Sequence, residues 1–358
     1  MRKEKILEID FLRAISALAV ITIHVTAKFA EMPTFSNLQL SVAFIDNFVG
    51  FAVPSFIFIS GLVLYQNYGT LQTNILTFYK KRFAKIIPIY LLFSVFYIAY
   101  SEIGNILSSK PIQINFAEFL YKLLTGGAYS HLWYFGILFQ FYLLYPLFLK
   151  LYQKYKIKFL ISVFILQFGW SFMGSDVFKF IGKLIGNEHL SFPIIFTHMF
   201  WFVLGFFFLD YKDKILKYVN VRIGIVVVLL LNCLKTLPMY YGLQYFKYDA
   251  IPSHYFDLTT AINPFIFLLE ILISYRISVT LWQKENKLTQ VLKSIGYYSL
   301  EIYLIHAFII ICLQKMLATI TIKSDQFLFY PIVWLGTVLL SFGFAIAYRR
   351  VKVLLKGK

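Results

Sequence analysis

Acidic side chains are scarce in this sequence, and so is charge of any kind. Asp and Glu number 17 in 358 residues, and Asp, Glu, Lys and Arg together make up 14%. A water-soluble domain carries about 25% charged residues, so this chain lacks the polar groups to cover a surface facing water. Cysteine is nearly absent too. Cys233 and Cys312 each lie inside an apolar run, which argues against a disulfide framework or a zinc site and fits two small buried hydrophobes. There is no Gly-x-Ser-x-Gly elbow, no His-Glu-x-x-His pair and no glycine-rich loop to cradle phosphates. No metal is expected. Repeats and low-complexity tracts are also missing, and no gap between apolar runs has room for a soluble domain, so residues 1–358 read as a single integral membrane domain.

What fills the chain is hydrocarbon and aromatic surface. Hydrophobic residues reach 59%, with 40 Phe and 26 Tyr. Aromatic rings fill packed bundles, and Tyr and Trp anchor at the headgroup level. The net charge is +17. In a soluble protein that charge points to nucleic acid. Here the cations sit in short links between apolar runs, and no basic stripe interleaved with aromatics marks a nucleic-acid surface, so the partner they imply is the membrane lipid.

Apolar runs long enough to span a bilayer, about 20 residues each, fall near 6–29, 43–65, 84–103, 132–150, 158–174, 192–209, 222–241, 259–279, 295–316 and 327–348. The expected fold is all-α: a polytopic bundle of about ten transmembrane helices. The basic start Met1 to Lys5 resembles a signal peptide. Asp10, Arg13 and His24 inside the first run, with no small-residue cleavage pattern, favour a retained first helix. Lys and Arg collect at alternate links, among them Lys80, Lys81, Arg82 and Lys85, and Arg349, Arg350 and Lys352. The positive-inside rule then puts both chain ends in the cytoplasm. Lys235, in the outer part of run 222–241, counts on the external side in this topology.

An ionisable group at the centre of a membrane helix costs at least about 2.5–3.5 kcal/mol on insertion scales, so such groups mark sites. Arg13 and His24 are 11 residues apart, on one helix face about 16 Å apart. Asp10 precedes Arg13 by three residues and can pair with it. A snorkelling ion pair plus a satisfied histidine would explain the trio without function; a coaligned stripe through most of the membrane weakens that explanation. Glu301 and His306 lie in YYSLEIYLIH, where they either lock helix packing or serve a site. Arg82 and Lys85, three apart before Pro88, present two cations to one partner, which suits phosphates; ordinary positive-inside charge accounts for them equally well. Trp133 and Tyr134 follow His131 at the start of the fourth run, as an interfacial aromatic belt would. Gln140 lies deeper and needs a partner. Ser60-Gly61 puts small residues in an apolar helix, where they permit close approach of a neighbour.

Several of these segments together resemble the acyltransferase-3 family of bacterial membrane acyltransferases. IDFLRAISALAVITIH is similar to the family's first-helix signature, FIFISGLVL to its F-x-x-SG segment, and KRFAKIIPIY to its R-x-x-R motif. HLWYF and SLEIYLIH look like its LW-[FY] and YL-x-H segments. The matches keep the family's order over residues 9–306. Lys85 stands where the family has a second Arg, which keeps the charge but loses the bidentate fork.

The resemblance implies a multi-pass enzyme of the bacterial cell membrane that moves an acyl group, usually acetyl, from cytoplasmic acyl-CoA to a hydroxyl of a cell-surface glycan or exopolysaccharide. Acyl-CoA enters as donor substrate, with no bound cofactor. Arg82 and Lys85 would hold its phosphates. His24 would deprotonate the sugar hydroxyl or carry the acyl group; the sequence does not separate these roles. Arg13 would orient the thioester or stabilise an oxyanion, and Asp10 or Glu301 would tune a base. His306, Ser60 and Gln140 would support the site, and Trp133 and Tyr134 would meet sugar rings. Two alternatives stand beside this one: a glycan exporter without chemistry, and a non-catalytic membrane subunit of a polysaccharide synthesis complex. Homo-oligomers or synthase components are possible partners.

Overall fold

The structure, a computed structural model, describes residues 6–27, 36–69, 74–108, 115–184, 194–246 and 253–356. Every regular element among them is helical: α1 (Ile9–Thr26), α2 (Asn37–Phe48), α3 (Ala52–Tyr68), α4 (Ile75–Leu107), α5 (Phe116–Thr125), α6 (Trp133–Tyr155), α7 (Ile157–Leu184), α8 (Met199–Tyr218), α9 (Val221–Phe246), α10 (Ser253–Trp282), α11 (Lys287–Tyr297), α12 (Ser299–Thr319) and α13 (Phe329–Lys356), with a 3₁₀ turn at Ile195–Thr197.

The all-α expectation holds, but the count of spans differs. Among the described residues, eight helices are long and apolar enough to cross a membrane, or nine if one bent pair counts as a span. The pair is Met199–Tyr218 with Val221–Leu237, the two arms expected as separate spans at 192–209 and 222–241. Each arm is interrupted or diluted by charge: Asp210, Lys212, Asp213 and Lys214 close the first, and Tyr211 leaves helical geometry at φ −121°. Where apolar length is short, composition alone does not fix where one span ends and the next begins. Lys235 lies within the second arm and is half-buried.

The chain folds as two compact units, residues 1–56 with 212–358, and residues 57–211. In the first unit α1 is the central post. It packs against α2, α10, α11, α12 and α13. Its contact with α11 is a backbone crossing: a Cβ at Gly296 would drive into the carbonyl oxygen of Asp10, so only glycine lets the two helices meet there. Ser16 on α1 donates to the carbonyl of Leu12 and lies 2.8 Å from the Ser55 hydroxyl, both buried.

The second unit is held by rings. Phe141 and Phe202 stack with centroids 4.3 Å apart, and Phe202, Phe206 and Tyr145 form edge-on pairs around them. Such pairs add about 0.5–1.5 kcal/mol each beyond area burial. The small residues expected to permit close approach do so. A Cβ at Gly61 would collide with the Phe202 carbonyl oxygen, and one at Gly205 would press on the backbone of Phe58 and Leu62 at 2.5 Å.

Candidate functional site

Polar groups converge on α1 in the first unit. Asp10 is buried at 2% exposure, and its Oδ1 accepts from Arg13 Nη1 at 2.8 Å. The i,i+3 pair expected from sequence therefore forms, and Arg13 keeps 29% of its side chain accessible. A carboxylate on one side fixes the guanidinium while leaving its remaining N–H donors for another anionic or carbonyl group.

At the other end of α1, His24 meets His306 of α12, with ring centroids 4.9 Å apart. His306 is fully buried, and its Nδ1 lies 2.6 Å from the Tyr303 carbonyl. A carbonyl only accepts, so Nδ1 carries a hydrogen, and in the matching neutral tautomer Nε2 would be the accepting nitrogen. A pair of imidazoles against one helix post is able to pass a proton to and from a substrate hydroxyl. Tyr303 also touches Phe56 edge-on at 6.3 Å, which packs the α12 turn that carries His306.

Glu301 has a different surrounding. Both of its oxygens are taken by Arg349 of α13, through Nε at 2.7 Å and Nη2 at 2.8 Å, and the guanidinium also lies over the rings of Tyr297 and Tyr298 at 4.1 and 4.6 Å. This bidentate fork is the strong geometry for a carboxylate and a guanidinium. It clamps α12 to α13. Sequence reading counted Arg349 only as a loop cation, because its partner lies 48 residues earlier in the chain.

In the second unit, Arg82 is half-buried on α4 and stands over the Tyr68 ring at 4.7 Å, while Lys85 is exposed. The Nε of Arg82 is buried and has no hydrogen-bond partner among the described residues. Ser60 Oγ and Tyr134 Oη approach within 3.4 Å. Trp133 lies by His198, whose Nδ1 is 2.6 Å from Thr197 Oγ1. Gln140 uses its amide structurally. Nε2 donates to Gly136 O at 3.1 Å, and Oε1 accepts from Ile195 N at 3.1 Å, tying α6 to the 3₁₀ turn. His131 is 1% exposed and sits edge-on to Tyr97.

A second set of buried and half-buried polar groups was missed from sequence. Glu270 on α10, Asn232 and Lys235 on α9, and Asp46 on α2 lie inside apolar helices. The signal was available: one carboxylate in FLLEILIS is the same kind of outlier as those of the first run.

The acyltransferase domain model of the acyltransferase-3 family matches residues 6–348. The chain belongs to this family. As a family member with eight or nine helices among the described residues long and apolar enough to cross a membrane, it is a multi-pass bacterial membrane protein. It is 27% identical over 327 residues to a protein of Staphylococcus aureus strain MRSA252 described as a probable poly-beta-1,6-N-acetyl-D-glucosamine export protein, covering 89% of this chain and 86% of the relative. The counterparts in strains MSSA476 and N315, described in the same words, match at the same identity and coverage. No solved structure matches the chain.

Proposed function

We propose that this acyltransferase-3 family member transfers an acyl group, with acetyl first in order of expectation, from cytoplasmic acyl-CoA to a hydroxyl of a cell-surface or exopolysaccharide glycan. The observation that carries the reading is the alignment on α1 of the Asp10–Arg13 pair with the His24–His306 contact. In this mechanism one imidazole takes the proton from the attacking sugar hydroxyl as the new ester bond forms. The thioester bond breaks, and the proton ends on the leaving CoA sulfur. Arg13, held by Asp10, steadies the oxygen that gains charge in between. His24 as a covalent acyl carrier is the variant of the same scheme.

Arg82 is proposed as the phosphate ligand for CoA. Its support is the buried Nε that lacks a hydrogen-bond partner among the described residues; a phosphate oxygen is the acceptor such a group calls for. Lys85 adds a second, solvated cation. Glu301 acts in this scheme by fixing α12 through Arg349 rather than by touching a base. Both chain ends face the cytoplasm in this reading, which places the Arg82 and Lys85 end of α4 toward the donor pool.

A second reading is export of a glycan without chemistry. What favours it is the description of the relatives at 27% identity as probable export proteins. One experiment separates the two. Purified protein receives acetyl-CoA labelled in the acetyl group together with an N-acetylglucosamine polymer, and is compared with His24→Ala. Label on the polymer that the substitution removes supports transfer. No label with either protein, accompanied by polymer flux across vesicles, supports export.

A further inference from the structure

The buried set on α9 and α10 has a composition that the acyl-transfer scheme does not use. Glu270 is the middle of the span Thr259–Trp282 and only 4% exposed. Its Oε1 accepts from Asn232 Nδ2 at 3.2 Å, and Asn232, fully buried, also donates to Val228 O at 3.0 Å. The other oxygen of each group, Oε2 of Glu270 and Oδ1 of Asn232, has no hydrogen-bond partner among the described residues. Two buried acceptors on neighbouring groups are thus left without a donor, an arrangement that needs an explanation.

The surrounding charges sharpen the question. Lys235 lies one turn from Asn232 on α9, over the Phe267 ring at 5.9 Å, and within electrostatic reach of both Glu270 and Asp46. Asp46 on α2 accepts from Thr26 Oγ1 of α1 at 2.7 Å. Asn47 of α2 donates to Thr236 of α9 at 3.0 Å. The other titratable groups of α1 are Asp10, Arg13 and His24, and further along α10 Tyr275 donates to Glu8 at 3.1 Å. With all three charged, Asp46, Lys235 and Glu270 hold two negative charges against one positive. A surplus charge in the middle of an apolar span is removed by neutralisation more readily than it is tolerated.

We propose that Glu270 and Asn232 form an intramembrane proton-binding site, in which Oε2 of Glu270 takes up one proton from water and donates it to Oδ1 of Asn232. The loaded site is an acid–amide pair closed by two hydrogen bonds, one in each direction. A single proton satisfies both orphaned acceptors and leaves Lys235 matched by Asp46. Unloading restores the carboxylate and returns the proton to water, with no other bond changed. The site is independent of the acyl-transfer scheme. That scheme hands the hydroxyl proton to the leaving sulfur and consumes none here.

An apolar cavity of about 470 Å³ opens beside the cluster, lined by Leu40, Phe44, Ile45, Cys233, Thr236 and Leu237. Dicyclohexylcarbodiimide reacts with protonated carboxyl groups in apolar surroundings and not with carboxylates, so the full-length protein is treated with it and the modified peptides are located by mass spectrometry. Expected is modification of Glu270 in mildly acidic buffer that fades as the pH is raised and is indifferent to sodium. In Glu270→Gln, which keeps a closed amide pair and hence the fold, the label disappears, and so does a carbonyl stretch of a protonated carboxyl in the infrared spectrum. Protection by sodium would overturn the proposal in favour of a cation site. Labelling that ignores pH would also overturn it, as would the absence of label together with identical infrared spectra for the two proteins.

Discussion

The two units of this protein solve the problem of packing helices in different ways. The second uses shape: rings of Phe58, Phe141, Phe202, Phe206 and Phe208 fill the space, and glycines at 61 and 205 bring backbones into contact. The first uses charge: Asp10, Glu301, His306 and Glu270 are each buried at a helix contact. Lipid tails are as apolar as the side chains they meet, so association of helices in a membrane rests on close packing and on polar contacts. A unit built on packing needs few polar contacts to hold its form. A unit built on polar contacts carries groups that can also bind or transfer protons.

The sharpest way to break the comparison is to remove the close approach in the ring-packed unit. Gly61→Leu forces a side chain into the Phe202 carbonyl. The expected cost exceeds about 3 kcal/mol, seen as loss of the monodisperse peak in size-exclusion chromatography. If the variant elutes and melts like the parent, shape does not hold that unit. In the charge-packed unit the corresponding core substitution at the site acts on rate. His24→Ala is expected to lower acetyl transfer by about 10²–10⁴-fold with the melting temperature little changed. A large drop in thermal stability with transfer intact would make the histidine contact structural.

Smaller effects sharpen the comparison. Arg349→Ala strands the buried Glu301 carboxylate. A fully buried pair broken on one side loses about 3–5 kcal/mol; with Arg349 26% accessible, about 2–3 kcal/mol is expected in detergent unfolding, and Glu301→Gln in the same background should recover part of it. The smallest effect lies at the edge of the unit, where Glu8 accepts from Lys212 at 2.5 Å and from Tyr275. Burial pushes the Glu8 carboxyl up, but its bonds to Lys212, to its own backbone N–H and to Tyr275 outweigh that and hold it below its ordinary 4.5. A depressed carboxyl contributes stability above its unfolded value and loses it as pH falls through the folded one. A melting-temperature profile should therefore drop in acid, and Glu8→Gln should flatten that drop by no more than about 1 kcal/mol.

Much of the architecture could be read from the chain as written. Apolar runs gave the spans, because bilayer thickness sets a helix length that composition reveals. The Asp10–Arg13 pair followed from spacing on one helix, and Gly61 from a small residue in an apolar run. Spans 192–209 and 222–241 read as two independent crossings, because hydropathy does not register a bend at Val219–Asn220 between arms of modest apolar length. Lys235 read only as an external-side cation, because run 222–241 by itself does not show which neighbouring helices bring Asp46 and Glu270 within its reach.

The sequence by itself determined the solvent, the helical class and the local pairs, since these depend on residues within one or two turns of each other. Only the tertiary structure decided that His24 faces His306, that Arg349 takes both oxygens of Glu301, and that the Asn232 amide donates to the Glu270 carboxyl. Those partners stand from 38 to 282 residues apart along the chain. Periodicity along one helix says which face a group occupies and nothing about which other helix comes to meet it.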